Sequence, residues 1–328
     1  MRRTETKSEP QKTESLRAAI GGPLALTRVA HLAVAYRLPI LVVLLNVTGM
    51  VSFLVFVATR SVTFVDLLIF ATFYLLGVIG IEIGMHRYLA HRSFEAVPAL
   101  RAVLLVLGAM GCQGSAVVWV TTHRKHHRCS DGPGDPHSPV SRGPGGLGIV
   151  RGLWHGHFGW HFRETGHVTV NDIHRFARDV VTDRRLIALD QYFWTWVCLG
   201  LLAPAFVGLV LSGTVAGAFT AFLWGGPIRI FFVDNATFAL QSIAHVFGTK
   251  PYQTRDGSGN VWWLVLPTVG AAWHNTHHAF PGSARTSLQP RQIDPGFWII
   301  RGFERLGLAH SVQIARKRVS TGHNPESD

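Results

Sequence analysis

At 328 residues the chain has room for one large domain or two small ones. Its composition, 48% hydrophobic against 15% charged with a positive mean hydropathy, points to a membrane-embedded protein. Its net charge of +12 is interrupted by apolar runs, which excludes a continuous nucleic-acid-binding face.

Residues 1–37 are expected to form a polar, basic tail, disordered over about its first 16 residues and too polar and long for a secretory signal. Leu38–Thr59 follows, charge-free and long enough to cross a bilayer core of about 30 Å. A second span is read over 67–85, with Glu82 near its end, a third over 192–211, and a shorter fourth over 212–228, stopped by Arg229. Ala102–Val120 is also charge-free, but Gly108, Gly111, Gln113, Gly114 and Ser115 weaken it. It is read as a buried or interfacial helix. Asp131–Gly148, rich in Gly and Pro, is a loop, and amphipathic stretches follow around 149–162 and 172–189. Cys112, Cys129 and Cys198 show no CxxC spacing, so no disulfide is expected and the site faces a reducing compartment.

Arginine and lysine gather in the tails and between Arg87 and Arg185, while only Arg60 lies in the link between the first two spans. By the positive-inside rule the tails and the central segment are cytoplasmic. Four spans in two hairpins satisfy this parity. The architecture expected is therefore an all-α integral membrane protein with a cytoplasmic helical cap, multi-pass in the cell membrane.

Eight of the 18 histidines fall in three clusters: His86 and His91 in HRYLAH, His123, His126 and His127 in HRKHH, and His274, His277 and His278 in HNTHH. Positions i, i+3 and i+4 lie on one side of a helix, so each HxxHH motif is expected to aim three imidazoles at one point. Imidazole binds iron, copper, zinc or nickel. Eight such groups suit two ions rather than one. Glu82, Asp131, Asp135 and Asp234 are candidates to offset the metal charge. Gln241 and His245 are four apart and face the same way on a helix, which leaves His245 open as a further ligand or as a satisfied interior group. His137 in GDPHSP is read as ordering its loop. His155, His157, His161, His167, His174, His310 and His323 are read as surface or capping residues.

HRYLAHRSF, WVTTHRKHHRCSDGPGDPHSP, SIAHVFG and WHNTHHAFP, in this order and with these spans between them, resemble the membrane fatty-acyl desaturases of the delta-9, stearoyl-CoA desaturase-like type. LWHGHFGW, LWGGPIRIFF and DGSGN extend the resemblance over about Arg37 to Leu308. It implies a desaturase domain over 38–310 with a tail over 311–328. It implies two iron ions held by His86, His91, His123, His126, His127, His245, His274, His277 and His278, with O2 as co-substrate. Gln241 stands where the family usually has an Asn that reaches iron through a water. Asp135 and His137 would support the ligands, and Trp119, Trp262 and Trp273 are candidates to wall a tunnel for a fatty-acyl chain, with ordinary packing as the alternative for each. Thr121–Thr122 replace an Arg–Asp pair that helps hold a CoA head group, and Gly114 replaces an Asn near the substrate. Electrons would come from a separate ferredoxin-like or cytochrome-like donor with its reductase. The alternatives are a hydroxylase with the same metal site and a metal transporter, the latter disfavoured because the clusters lie outside the spans.

Overall fold

The structure is a computed structural model, and it describes residues 37–140, 145–163 and 167–315. The expected tail over 1–37 lies outside the described residues except for Arg37, as does the end of the chain from 316.

Four helices are long and apolar enough to cross a membrane: Arg37–Ala58, Phe64–Ala90, Phe193–Ser212 and Val215–His245. They form two hairpins. The first helix, α1 (Arg37–Ala58), leads to α2 (Phe64–Ile79), whose start is fixed by a capping box: Asp66 N donates to Thr63 Oγ1 and Thr63 N to the Asp66 carboxylate. The helix does not end at Ile79. It widens into a π-helical stretch, Gly80–Ala90, in which His91 N bonds His86 O, five residues back, at 3.1 Å.

Against that stretch packs α3 (Pro98–Met110). A Cβ on Gly80 would lie 2.2 Å from Gly108 N, so glycine is required for this approach. Thirteen residues rise only about 20 Å, short of the bilayer core. Residues 102–120 are thus broken by a turn over Gly111–Ser115, where Cys112 and Gly114 both take positive φ. Then α4 (Ala116–Cys129) begins at the N-cap Ser115 and carries HRKHH. Next come α5 (Gly145–His157), the short cap helices α6 (Val170–Phe176), α7 (Arg178–Thr182) and α8 (Arg184–Asp190), and the second hairpin.

That hairpin joins α9 (Phe193–Ser212) to α10 (Val215–Leu223) through Gly213 in the left-handed region. A second π turn, Trp224–Ile228, passes into α11 (Arg229–Gln241), and a short 3₁₀ turn ends at His245. The fourth span is therefore longer than the expected 212–228. Arg229 does not stop it, because its buried guanidinium bonds the carbonyls of Gly225, Met110 and Gly200. Finally α12 (His274–Ala279) and α13 (Pro295–Arg305) close the cap. A two-residue antiparallel pair, β1 (Glu95–Ala96) with β2 (Ala309–His310), and the bonds Gln313 N to Ser93 O and Ala284 N to Gln313 O hold the end of the body. The boundary expected at 310 thus falls inside a packed segment.

Candidate metal centre

The histidines do not gather one motif to one point. Two groups form, and within each the candidate ligand atoms lie within 4.8 Å of one another: His86, His91, His123, His127 and His277 in one, His126, His245, His274 and His278 in the other. The expectation that each HxxHH motif serves a single point is corrected by helix geometry. At 3.6 residues per turn, i and i+4 differ by about 40° while i+3 falls about 60° to the other side. So His123 and His127 stay together and His126 departs; His274 and His278 stay together and His277 departs. Each short helix thereby ties the two cages to each other.

The HxxxxH motif has a different explanation. Residues five apart diverge on an α-helix, but the i→i+5 bonding of the π stretch widens the turn. His86 and His91 come to share a face, ring centroids 4.9 Å apart. Nothing in the residue types of GIEIGMHRYLA announces this wide turn.

Carboxylates fix four of the rings. Glu82 meets His86 Nδ1 at 2.9 Å, one α-helical spacing away. After α4 the chain turns through Asp131, at φ 57°, and folds back. Asp135 then accepts from Asp131 N and His137 N while both its oxygens face His126 Nδ1 at 3.0 Å. Asp131 reaches His245 Nδ1 at 2.8 Å and also accepts from Gly257 N at 2.7 Å. A Cβ at Gly257 would fall 2.3 Å from His245 O, so the DGSGN turn needs glycine there. Asp256, two residues from that turn's Ser258 and held by it, meets His278 Nδ1 at 2.7 Å. Asn275, in the third motif, bonds Tyr252 and Ser258 and so fastens this loop to α12.

Asp256 was missed by sequence reasoning, although DGSGN was available as a signal; it lies far from His278 along the chain. Asp234 is corrected in the opposite sense. It is buried in α11 and bonded by Asn46 and Gln113, on a side of the helix that does not reach the imidazoles. His155, His157 and His161 are not surface residues either. His155 is buried, and His157 bridges Ser242 and Asn235, strapping α5 to α11.

Burial, reinforced by neighbouring imidazoles, holds His123, His127, His274 and His277 well below the ordinary histidine value. Burial also brings His278 down to about 4 despite Asp256. Burial works against His126 as well, but the Asp135 carboxylate overrides it and raises that ring. Burial opposes ionisation of Asp135 and Asp256, yet their imidazole partners keep both far below the usual carboxylate range. Neutral rings with Nδ1 engaged by a carboxylate present Nε2 as a lone pair. His126 Nε2 and His278 Nε2 are buried without a hydrogen-bond partner, and His86, His127 and His277 bring their Nε2 atoms to 3.0 Å contacts. Convergent lone pairs of this kind repel one another and fit a cation.

A cavity adjoins the cages. It runs from Leu38 and Phe193, at the starts of two spans, past Gln113 and Trp119 to His123 and Gln241. Trp119 stacks on His123, centroids 4.9 Å apart, and its Nε1 donates to Gln113 Oε1 at 3.4 Å. His137 and His161 also line the cavity, and the His137 ring lies 4.3 Å from that of His126. Gln241 ends α11 with its Oε1 buried and without a hydrogen-bond partner. Trp262 and Trp273 are not among the lining residues. Trp262 is 76% exposed, and Trp273 spends its Nε1 on Ile293 O at 2.6 Å. Of the three tryptophans Trp119 lines this cavity, while Trp273 packs on the core around Leu240, Ala244 and Val261.

Spans, histidine cages that could hold metal ions and an adjoining cavity define the class of membrane protein. The family profile described as Fatty acid desaturase matches residues 62–292. Among relatives, a hex-5-enoyl-[acyl-carrier protein] acetylenase of Moorena producens (strain JHB) is 42% identical, over 73% of this chain and 74% of its own. An sn-1 stearoyl-lipid 9-desaturase of Anabaena variabilis is 34% identical over 75% and 83%. A delta-9 acyl-lipid desaturase 2 of Arabidopsis thaliana is 34% identical over 74% and 73%. The chain belongs to the fatty acid desaturase family and is a membrane oxidoreductase that desaturates fatty-acyl chains.

Proposed function

We propose that the protein introduces a cis double bond into a fatty-acyl chain in an O2-dependent reaction at two iron ions, with electrons from a separate ferredoxin-like or cytochrome-like donor. The observation that carries this reading is the pair of adjacent imidazole cages at the inner end of a cavity that starts at the span ends. An unactivated methylene yields to no side-chain base, and zinc has no redox chemistry, so a redox-active metal suited to imidazole supplies the hydrogen-removing chemistry.

The residues do the rest. Nine imidazoles hold the ions, five in one cage and four in the other. Glu82, Asp131, Asp135 and Asp256 fix ring tautomers, and His137 backs His126. Gln241 takes the place of a water-holding amide beside the ions. Trp119, pinned by Gln113 and stacked on His123, forms the wall that sets an acyl chain against the cages and excludes water from it. The named relatives act on chains carried by acyl-carrier protein and by lipid, which supports recognition of the chain more than of its carrier. The concentration of basic residues on the cap side supports placing the site at the cytoplasmic face of the cell membrane, where an acidic electron donor would dock.

The test is a lipid profile of cells expressing wild type or His277→Ala. A new double bond in wild type alone is expected, with its position read from fragmentation. Loss of the product in both, with iron present in purified wild type, would refute desaturation of the host's lipids. A product gaining one oxygen instead of losing two hydrogens would replace the reading with hydroxylation.

A further inference from the structure

The two cages differ in what stands behind their rings. In the five-histidine cage one carboxylate, Glu82, engages one ring, that of His86; among the described residues none is bonded to His91, His123, His127 or His277. In the four-histidine cage three of four rings are engaged: His126 by Asp135, His245 by Asp131, His278 by Asp256. No Lys or Arg forms an ion pair with any of these three aspartates among the described residues. Asp131 and Asp256 each bring an oxygen within 4.8 Å of the other and of His245, so their like charges are crowded together.

The imidazole nitrogens differ as well. In the five-histidine cage Nε2 atoms meet each other, His91 with His123 at 2.7 Å and His277 with His86 and His127 at 3.0 Å. In the four-histidine cage one such pair also occurs, His245 Nε2 with His274 Nε2 at 3.1 Å, but the buried Nε2 atoms of His126 and His278 have no hydrogen-bond partner.

We propose that the four-histidine cage is the high-affinity cation site and takes the first of two ions, with Asp131, Asp135 and Asp256 as the positioning residues that set its affinity. This rests on reading the nine imidazoles as a two-ion centre. A fifth imidazole adds a donor atom but no charge. A dication among neutral ligands keeps its full charge away from water, which is costly, whereas three carboxylates compensate it through the rings they hold. The same hydrogen bonds fix each tautomer so that Nε2 is already a lone pair, in three rings of four against one of five. The five-histidine cage fills second.

The experiment is an anaerobic Co²⁺ titration of the full-length protein, purified in lipid nanodiscs and stripped by chelator, followed by visible absorption and by bound metal after gel filtration. Wild type is expected to bind in two steps. Asp256→Asn keeps one oxygen for His278 Nδ1 and removes the charge, together with the acceptor that Ser258 N and Oγ use; it should weaken the first step about ten- to hundred-fold and leave the second. Glu82→Gln should weaken the second step alone. His274→Ala should abolish the tight step, and His91→Ala the loose one. Should Asp256→Asn fold poorly by thermal unfolding, Asp135→Asn applies the same test from a different loop. Two equal steps, or a second step that responds to Asp256→Asn or Asp135→Asn, would overturn the ordering while leaving the metal centre intact. No bound cobalt in wild type would overturn the two-ion reading itself.

Discussion

Arg87 and Arg229 are both buried, at 2% and 1% exposure, one within a π-helical stretch and the other just after one, yet they are satisfied by different chemistry. Arg87 lies in the cap end of the second span, next to His86. It forms a two-pronged ion pair with Asp294, at 2.9 and 3.2 Å, and bonds Ala284 O at 2.7 Å. Arg229 lies in the fourth span and takes only backbone carbonyls, of Gly225, Met110 and Gly200. Those carbonyls have physical reasons to be open. Met110 is the last residue of α3, where carbonyls lack an intrahelical partner. Gly200 is four residues before Pro204, which has no N–H to give it. Within the spans a cation repairs irregular helices; in the cap a cation is locked to an ionised partner. The spans can thus bear polar groups without titratable partners, while the cap depends on protonation states.

Acid is expected to separate the two regions most strongly. For the metal-free protein, His123, His127, His274, His277 and His278 are held below their ordinary value in the fold, so the unfolded chain binds more protons as pH drops. Their contribution is complete above about 6.5 and is lost as pH falls from there toward the folded value, about 4 for His278. His278 alone accounts for roughly 1 kcal/mol by pH about 5.5. His126, with its raised value, works in the opposite direction and offsets part of this. Near-UV circular dichroism from cap tryptophans should fade before the far-UV helical signal; simultaneous loss would erase the distinction.

Next in size is Arg87→Leu. It strands the buried Asp294 carboxylate and is expected to cost about 3–5 kcal/mol, seen in thermal unfolding, with metal retention falling because His86 is its neighbour. Arg229→Met is expected to cost about 1–3 kcal/mol for each of the three carbonyls it leaves without its donor. A second change sharpens the contrast. Pro204→Ala supplies the N–H that Gly200 O lacks, so it should be better tolerated with Arg229→Met than in wild type. A double-mutant cycle showing strict additivity would refute the carbonyl-repair role.

The same contrast explains what the sequence could reveal. Charge-free runs announced the spans because hydropathy needs no knowledge of partners, and HxxHH spacing announced clustered imidazoles, though not their division between two cages. Arg229 hid the length of the fourth span, since its carbonyl partners at Gly200 and Met110 are distant in sequence. Asp234 and Asp256 were interchanged in importance for a related reason: which side of α11 faces the imidazoles, and which loop returns to His278, are set by tertiary packing. The π turn in HRYLAH was invisible because no residue type in it signals a wide turn.

The division of each HxxHH motif between two cages also bears on when the protein can mature. One cage needs His277 to join residues from 86 to 127; the other needs His245, His274 and His278 to join His126. Neither set is complete until a ribosome has passed residue 278 and the last hydrophobic helix has been inserted. A metal that needs either full set would thus be acquired late in biogenesis, and a chain truncated before α12 would be unable to assemble either one.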